Sequence, residues 1–373
     1  MQVKVAKLRE AMNLLTPVIP GKKATLPVLH NVLLRDGKIA ATDLETWVEV
    51  VLPEVDLECL IPHSSVTELL KYVPGNEMLT IETDGQLKLS WEGGSSSYPR
   101  VKPDEFPVIP KLKVKTQGIL DGNQLINAMA IASKYCSSDE TRPVLCGVSI
   151  LPGENLDIAG ADGFRMAYQT LTASLPLDKP LIIPPKAVKV LSYLWQHTSP
   201  DITPSESLVG LVTQKRKVEV ALMEATATGD KLQLLFDDVT VLINLIQGNP
   251  PNFKQLIPSE VPTSVQLFPG DLERAIKRVR RIAMNSSGIV RLSWTTDMMT
   301  VSAKSEEMGE AEGTLPVHAD NPDKVALDIR YLLEYLKGKE GMITMGVTGG
   351  TAPVMFRHRA SPVVMVMPMN VQW

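Results

Sequence analysis

A chain of 373 residues is long for one core and suits two or three domains. Its 44% hydrophobic and 21% charged content is that of an ordinary globular protein, and no run of 18 apolar residues marks a membrane span. A net charge of −4 excludes a wholesale basic binder, so any polyanion site must be a local positive surface on an acidic body. Three cysteines, Cys59, Cys136 and Cys146, form no CxxC pair and suit a reducing compartment. The N-terminal stretch has no signal-peptide pattern, so a cytoplasmic protein is expected.

In chain order, the spacing predicts an amphipathic helix over about Lys7 to Val18, followed by GKKATLPVLHNVLL and an alternating segment ending AATDLETWVEV. A second helix is predicted in PHSSVTELLKYVPG, begun by Pro62 and stopped at Pro74-Gly75. MLTIET and LKLSW read as strands joined by a turn at Asp84-Gly85, and YPRVKPDEFPVIP closes the unit at Pro110. The same order then returns. Asn123 to Lys134 is the helix, and TRPVLCGVSI parallels TLPVLHNVLL, with Pro143 answering Pro27. AGADGFRMAYQ parallels AATDLETWVEV, with Asp162 answering Asp43; PPKAVKVLSYLW is the next helix, and NPPNFKQLIP closes at Pro258.

The third copy opens on Asp271 to Met284, DLERAIKRVRRIAM, the most informative stretch of the chain. At 100° per residue, Leu272, Ala275, Ile276, Val279, Ile282 and Ala283 fall on one side and Arg274, Lys277, Arg278, Arg280 and Arg281 on the other. Asp271 is placed to cap it and Glu273 to meet the helix dipole. Such a face suits a polyanion or, more blandly, solvent. IVRLSW, MTVSAK, the helix DIRYLLEYLKGK and the strands MITMGV, PVMFRH and VVMVMPM complete the copy. With Val66, Val188 and Leu332 in register, Lys71 and Lys337 coincide, and Tyr193 takes their place in the middle copy. Period-two strands with polar residues between apolar ones favour antiparallel sheets with one wet face. An α+β fold of three repeated domains follows, with limits expected at 1–113, 114–258 and 259–373.

Several segments together resemble the bacterial DNA polymerase III beta subunit, the beta sliding clamp: KKATLPVL, DETRPVLCGV, ADGFRMA, PPNFKQLIP and the terminal VVMVMPM. Their order covers essentially the whole chain. The resemblance implies three clamp domains per chain and a homodimeric ring around duplex DNA, with helices lining the hole and antiparallel sheets outside. It implies no catalysis and no cofactor or metal, and partners that are polymerase and clamp-loader subunits docking short peptide motifs. Charge alone can hold a sliding duplex, since phosphate contacts carry no sequence information. The DNA-contact candidates are Lys22, Lys23, Lys71, Lys134, Lys186, Lys189, Arg274, Lys277, Arg278, Arg281 and Lys337.

For the partner pocket, matching positions are Leu145, Ala161, Gly163, Arg165, Met166, Pro251, Leu256, Pro353, Met365, Met367, Pro368 and Met369. Methionine suits a pocket that takes several partners, because its flexible side chain repacks readily. For the dimer contact, implied to join sheet edges, the candidates are Phe106, Ile282 and Ala283. The sequence departs from the family at Ala161 and Phe164, where a hydroxyl residue and a polar ring are more usual, and in the added Asn370, Val371, Gln372 and Trp373. Trp373 is expected to narrow or extend the peptide site.

Enzyme readings find little support. The histidines His30, His63, His197, His318 and His358 form no metal-spaced motif, and Walker and GxSxG patterns are absent. Asp162 with Arg165 could serve a hydrolase, but no nucleophile stands beside a base. The alternative from another class is a diverged clamp-like α+β repeat protein that binds a protein partner without encircling DNA.

Overall fold

Apolar residues three and four apart place six helices among the described residues of the computed structural model, which are 1–21, 26–108, 112–198, 216–224, 229–349, 351–359 and 361–373. Helix α1 (Val5–Leu15) buries Val5, Leu8, Ala11, Met12 and Leu15, then tightens into a 3-10 turn at Thr16–Val18. Pro17 in that turn has no N–H to continue an α-helix. Helix α2 (His63–Leu70) follows Pro62, whose extended backbone stands at the N-cap. Helices α3 (Gly122–Ala132), α4 (Pro185–His197), α5 (Pro269–Met284) and α6 (Ile329–Leu336) complete the set. Asp328 caps α6, its carboxylate accepting the Arg330 N–H at 2.8 Å. The register expected between copies holds in burial: Val66, Val188 and Leu332 are all sealed in core.

The element order repeats a strand, a helix and three strands six times, apart from short 3-10 turns and the two-residue strand His318–Ala319. Each predicted copy is therefore two similar halves. Contacts divide the chain into two compact units, Met1–Ala130 with Ala173–Gln247, and Ile131–Thr172 with Gly248–Trp373. Each unit takes strands from two of the expected segments, because strands distant in sequence share a sheet.

In the first unit, one antiparallel sheet runs Gln2–Lys4, Met78–Glu82, Leu87–Trp91, Gly94–Tyr98. A second runs Cys59–Pro62, Asn31–Arg35, Lys38–Thr42, Thr46–Val51, Val239–Asn244, Lys231–Phe236, Lys217–Glu224, Lys113–Asp121. Its central joint sets Val50 opposite Val239 and Thr46 opposite Ile243. In the second unit, a sheet runs Val148–Leu151, Leu156–Ala161, Arg165–Leu171, Val363–Val366, Val354–Arg357, Ile343–Val347, Thr263–Leu267, His318–Ala319. Its joint sets Met166 opposite Met365. A four-stranded sheet of the same unit runs Gly309–Pro316, Met298–Ser305, Ile289–Trp294, Asp323–Asp328.

These joints follow one rule. A last strand of one half, Thr46–Val51 or Arg165–Leu171, pairs with the last strand of another, Val239–Asn244 or Val363–Val366. Two last strands, Gly94–Tyr98 and Gly309–Pro316, sit at the ends of their sheets and pair with no further strand among the described residues.

Candidate functional site

The ADGFRMA segment builds a tight turn in the second unit. The Asp162 carboxylate accepts the N–H groups of Phe164 and Arg165, each at 2.9 Å. Gly163 takes a φ of 95°, which glycine adopts without a Cβ penalty. A Cβ there would also lie 2.8 Å from the Arg142 guanidinium. The turn throws Phe164 outward and folds Arg165 back, and the Phe164 carbonyl accepts the Met367 N–H at 2.8 Å.

Behind the turn lies an apolar cluster of Ala159, Ala161, Met166, Tyr168, Phe253, Met355 and Met365. Strand register sets Met166, Met365 and Met355 side by side across three strands. Above them opens a cleft of about 160 Å³ lined by Ala161, Gly163, Phe164, Arg165, Met166, Leu256, Pro353, Met365 and Met367. Eight of the twelve residues expected at a partner pocket thus share one cleft. Leu145 packs at the edge of the underlying cluster. Pro251, Pro368 and Met369 are not in the lining. Phe164 is the lining residue the sequence list lacked; its place between Gly163 and Arg165 was the available signal.

Arg165 belongs to the frame of the cleft as much as to its surface. Its guanidinium donates to Asp162 at 3.0 Å, to Glu334 at 2.6 Å and to the Lys134 carbonyl at 3.1 Å. It also lies over the rings of Tyr331 at 4.6 Å and Tyr135 at 5.0 Å. Burial alone would lower its pKa, but the bonds and charges of Glu334 and Asp162 outweigh that and hold it above the ordinary arginine value. Asp162 and Arg165 are therefore spent on each other rather than poised as an acid and an anion clamp. Burial pushes the nearby Cys136 thiol up to about 12, with Cys146 and Asp162 adding to the shift, so no thiolate nucleophile stands there at neutral pH.

Trp373 departs from expectation. It is outside the cleft lining, and Lys324 of the strand Asp323–Asp328 lies over its ring at 4.8 Å. The tail is drawn there by two further bonds: Met369 N–H to the Ala326 carbonyl at 2.8 Å, and Arg291 to the Gln372 carbonyl at 3.4 Å. The extension thus covers a sheet edge instead of reshaping the cleft.

Among the cationic candidates, α5 keeps its two faces. Leu272, Ala275, Ile276, Val279 and Ala283 are buried, while Arg274, Lys277, Arg278, Arg280 and Arg281 are exposed. The helix starts at Pro269, with Phe268 and not Asp271 at the N-cap. Asp271 instead binds Arg274, and Glu273 binds Lys277 at 2.7 Å, so the face is less bare of acids than expected. Among the described residues, Arg278, Arg280 and Arg281 have no ion-pair partner. Lys71 is paired with Glu68 at 2.5 Å and Lys186 with Asp43 at 2.5 Å. Lys134, Lys189 and Lys337 are exposed, each at or near a helix. The Lys71–Glu68 pair is exposed on both sides and so weak, whereas the Asp43 carboxylate that holds Lys186 is buried. Lys22 and Lys23 lie outside the described residues.

Two of the three dimer candidates present no surface for a second copy. Phe106 is 3% exposed and meets the Trp47 ring edge-on at 5.6 Å, in a core with Leu33 and Leu60. Ala283 is 1% exposed on the inner face of α5, and Ile282 is half-buried against the same core. Position along the chain could not separate interface from core here.

Known proteins place this geometry. Residues 254–371 match the family profile of the DNA polymerase III beta subunit, C-terminal domain. A beta sliding clamp of Staphylococcus aureus is 23% identical over 360 residues, spanning 89% of this chain and 87% of its own. That of Chlamydia pneumoniae is 23% identical over 369 residues, spanning 95% and 94%. The DNA polymerase III beta subunit of Thermotoga maritima superposes with a TM-score of 0.83 at 22% identity, covering 100% of this chain and 99% of its own. The sliding clamp of Bartonella birtlesii, solved bound to griselimycin, gives 0.84 at 19% identity with the same coverage. The whole chain has the sliding-clamp fold and resembles the DNA polymerase III beta subunit along its length, and its residues 254–371 match the C-terminal domain of that family.

Proposed function

We propose that the protein is a DNA sliding clamp, a non-catalytic, cytoplasmic processivity factor. Two copies close head to tail around duplex DNA and tether polymerase and clamp-loader subunits, which dock short peptide segments in the cleft beside Phe164. The chain then comprises three clamp domains, 1–113, 114–258 and 259–373. The carrying observation is the edge rule: two joints of last strands lie within the chain, and the two last strands left over, Gly94–Tyr98 and Gly309–Pro316, are the pair that a second copy would join. Such pairing would also cover edges that invite aggregation.

The charge pattern supports the same reading. Glu310 and Glu312 are exposed on one of these edge strands, and Arg100 and Lys102 lie just beyond the other. The bare cations of α5 suit phosphates without reading bases. The cleft has room for side chains, and methionines able to repack, which suits several partners. A relative of this fold bound to griselimycin supports a ligand site in such proteins. Retention on DNA tests the proposal. Dimers near twice 40.9 kDa should stay on a nicked circle and leave a linear duplex through its ends. Equal retention on both, or a monomer that holds DNA, would favour the diverged reading.

A further inference from the structure

In the second unit, the 3-10 turn Ser133–Tyr135 and helix α6 are held to each other by one arginine. Arg165 donates to the Lys134 carbonyl at 3.1 Å and to Glu334 of α6 at 2.6 Å. The backbone that carries Lys134 is thereby fixed. Just past α6, the Lys339 N–H bonds the Leu336 carbonyl at 3.1 Å, and the Lys339 ammonium lies over the Tyr335 ring at 4.6 Å. Lys134 is exposed and Lys339 half-buried. Burial lowers the Lys339 pKa, and the charge of Lys134 lowers it further, so the two cations stand close enough to oppose each other.

Like charges brought together call for a counter-charge, and the nearby acids do not supply it. Glu334 is spent on Arg165. Glu340, next to Lys339, is exposed, and neither Lys134 nor Lys339 forms an ion pair among the described residues. The ring under Lys339 has a vacant group as well. Tyr335 is 3% exposed, and its hydroxyl has no hydrogen-bond partner among the described residues. A buried donor left without an acceptor is costly. Two fixed cations and an unused hydroxyl are the complement of an oxyanion.

We propose that Lys134 and Lys339, above the Tyr335 ring, form a seat for a doubly charged phosphate, either a free phosphate ester or the 5′-phosphate at the end of a nucleic-acid strand. A phosphate monoester loses its second proton at about pH 6 and so meets both ammonium groups at once. A diester within a strand carries a single charge and leaves one cation unmatched. The seat therefore differs in kind from a surface that grips duplex backbone, and it stands whether or not the chain encircles DNA.

Lysine acetylation of the full chain, read by mass spectrometry at about pH 7.5, follows each lysine separately. Methyl phosphate at about 10 mM should slow labelling of Lys134 and Lys339 at least about threefold and leave Lys189 on α4 unchanged. Dimethyl phosphate at matched ionic strength should slow it less than about 1.5-fold. Lys134→Gln should abolish the protection of Lys339, and Lys339→Gln that of Lys134, while both variants melt like the parent. A duplex with 5′-phosphates that protects better than its 5′-hydroxyl counterpart identifies a strand end as the ligand; equal protection by the two identifies a free ester. No protection by methyl phosphate, equal protection by dimethyl phosphate, or protection of Lys339 that survives in Lys134→Gln would overturn the inference.

Discussion

His63 shows how one buried ring ties stability to acidity. It is the first residue of α2 and 5% exposed, with its Nε2 2.9 Å from the Met12 carbonyl of α1. Burial lowers its pKa below the ordinary 6.5, and the Met12 carbonyl offsets this in part by favouring the protonated ring. The unfolded chain therefore binds the proton more readily, and stability rises with pH through this window. The contribution is complete above pH 6.5 and is lost as pH falls from there through the lower folded pKa. Thermal melting should show a midpoint that falls below pH 6.5 and is level above it, and His63→Gln should flatten that acid limb. Sequence could not foresee this: His63 read as one of five scattered histidines, because Met12 lies 51 positions away. Arg165 was legible as a site residue but not as part of the frame, since Glu334 is 169 positions distant. Local motifs mark where a turn forms; the partners that immobilise it are set by the fold.

Helix α5 was the most readable element because its apolar and charged residues separate cleanly at the helical period. Every residue expected inside is buried or half-buried, and every cation is exposed. Its ends were less readable. Asp271 is a preferred N-cap type, yet Pro269 starts the helix earlier and leaves Asp271 within the first turn, beside Arg274. Ala283 repeats on the same stripe as Val279 and Ile276, so its place in the core was legible at the helical period. If α5 faces DNA, replacing Arg278 and Arg281 with alanine should reduce the slope of log affinity against log salt by about 0.9 per lost phosphate contact. Melting should be nearly unchanged, because both side chains are exposed and unpaired among the described residues. A slope equal to the parent's would place the duplex elsewhere.

At the scale of the molecule, internal repetition was visible in wording such as TLPVL and TRPVL, while the finer division into six halves was not. The halves share an order of elements and little vocabulary, since a sheet face asks for alternation rather than particular residues. The edge-to-edge joints were equally hidden, because Val50 meets Val239 through backbone groups that every residue carries. In an antiparallel edge strand, alternate N–H groups point outward. If the proposed dimer joins at this edge, a proline scan over Ser95, Ser96 and Ser97 should include a variant that melts like the parent but is monomeric by light scattering. If all stable variants remain dimers, the second copy joins elsewhere.

The tail beyond Val366 carries a final consequence. Its attachments run in series, from the Phe164 carbonyl through Ala326 and Arg291 to Lys324. Trimming by a carboxypeptidase would undo them in reverse. Loss of Trp373 and Gln372 would free two surface cations and leave the cleft rim in place. Only digestion past Met369 would bare the Ala326 carbonyl, and only past Met367 would the turn bearing Phe164 lose its anchor. A ragged chain end therefore fails in two steps, the sheet edge giving way at Met369 and the cleft turn only at Met367.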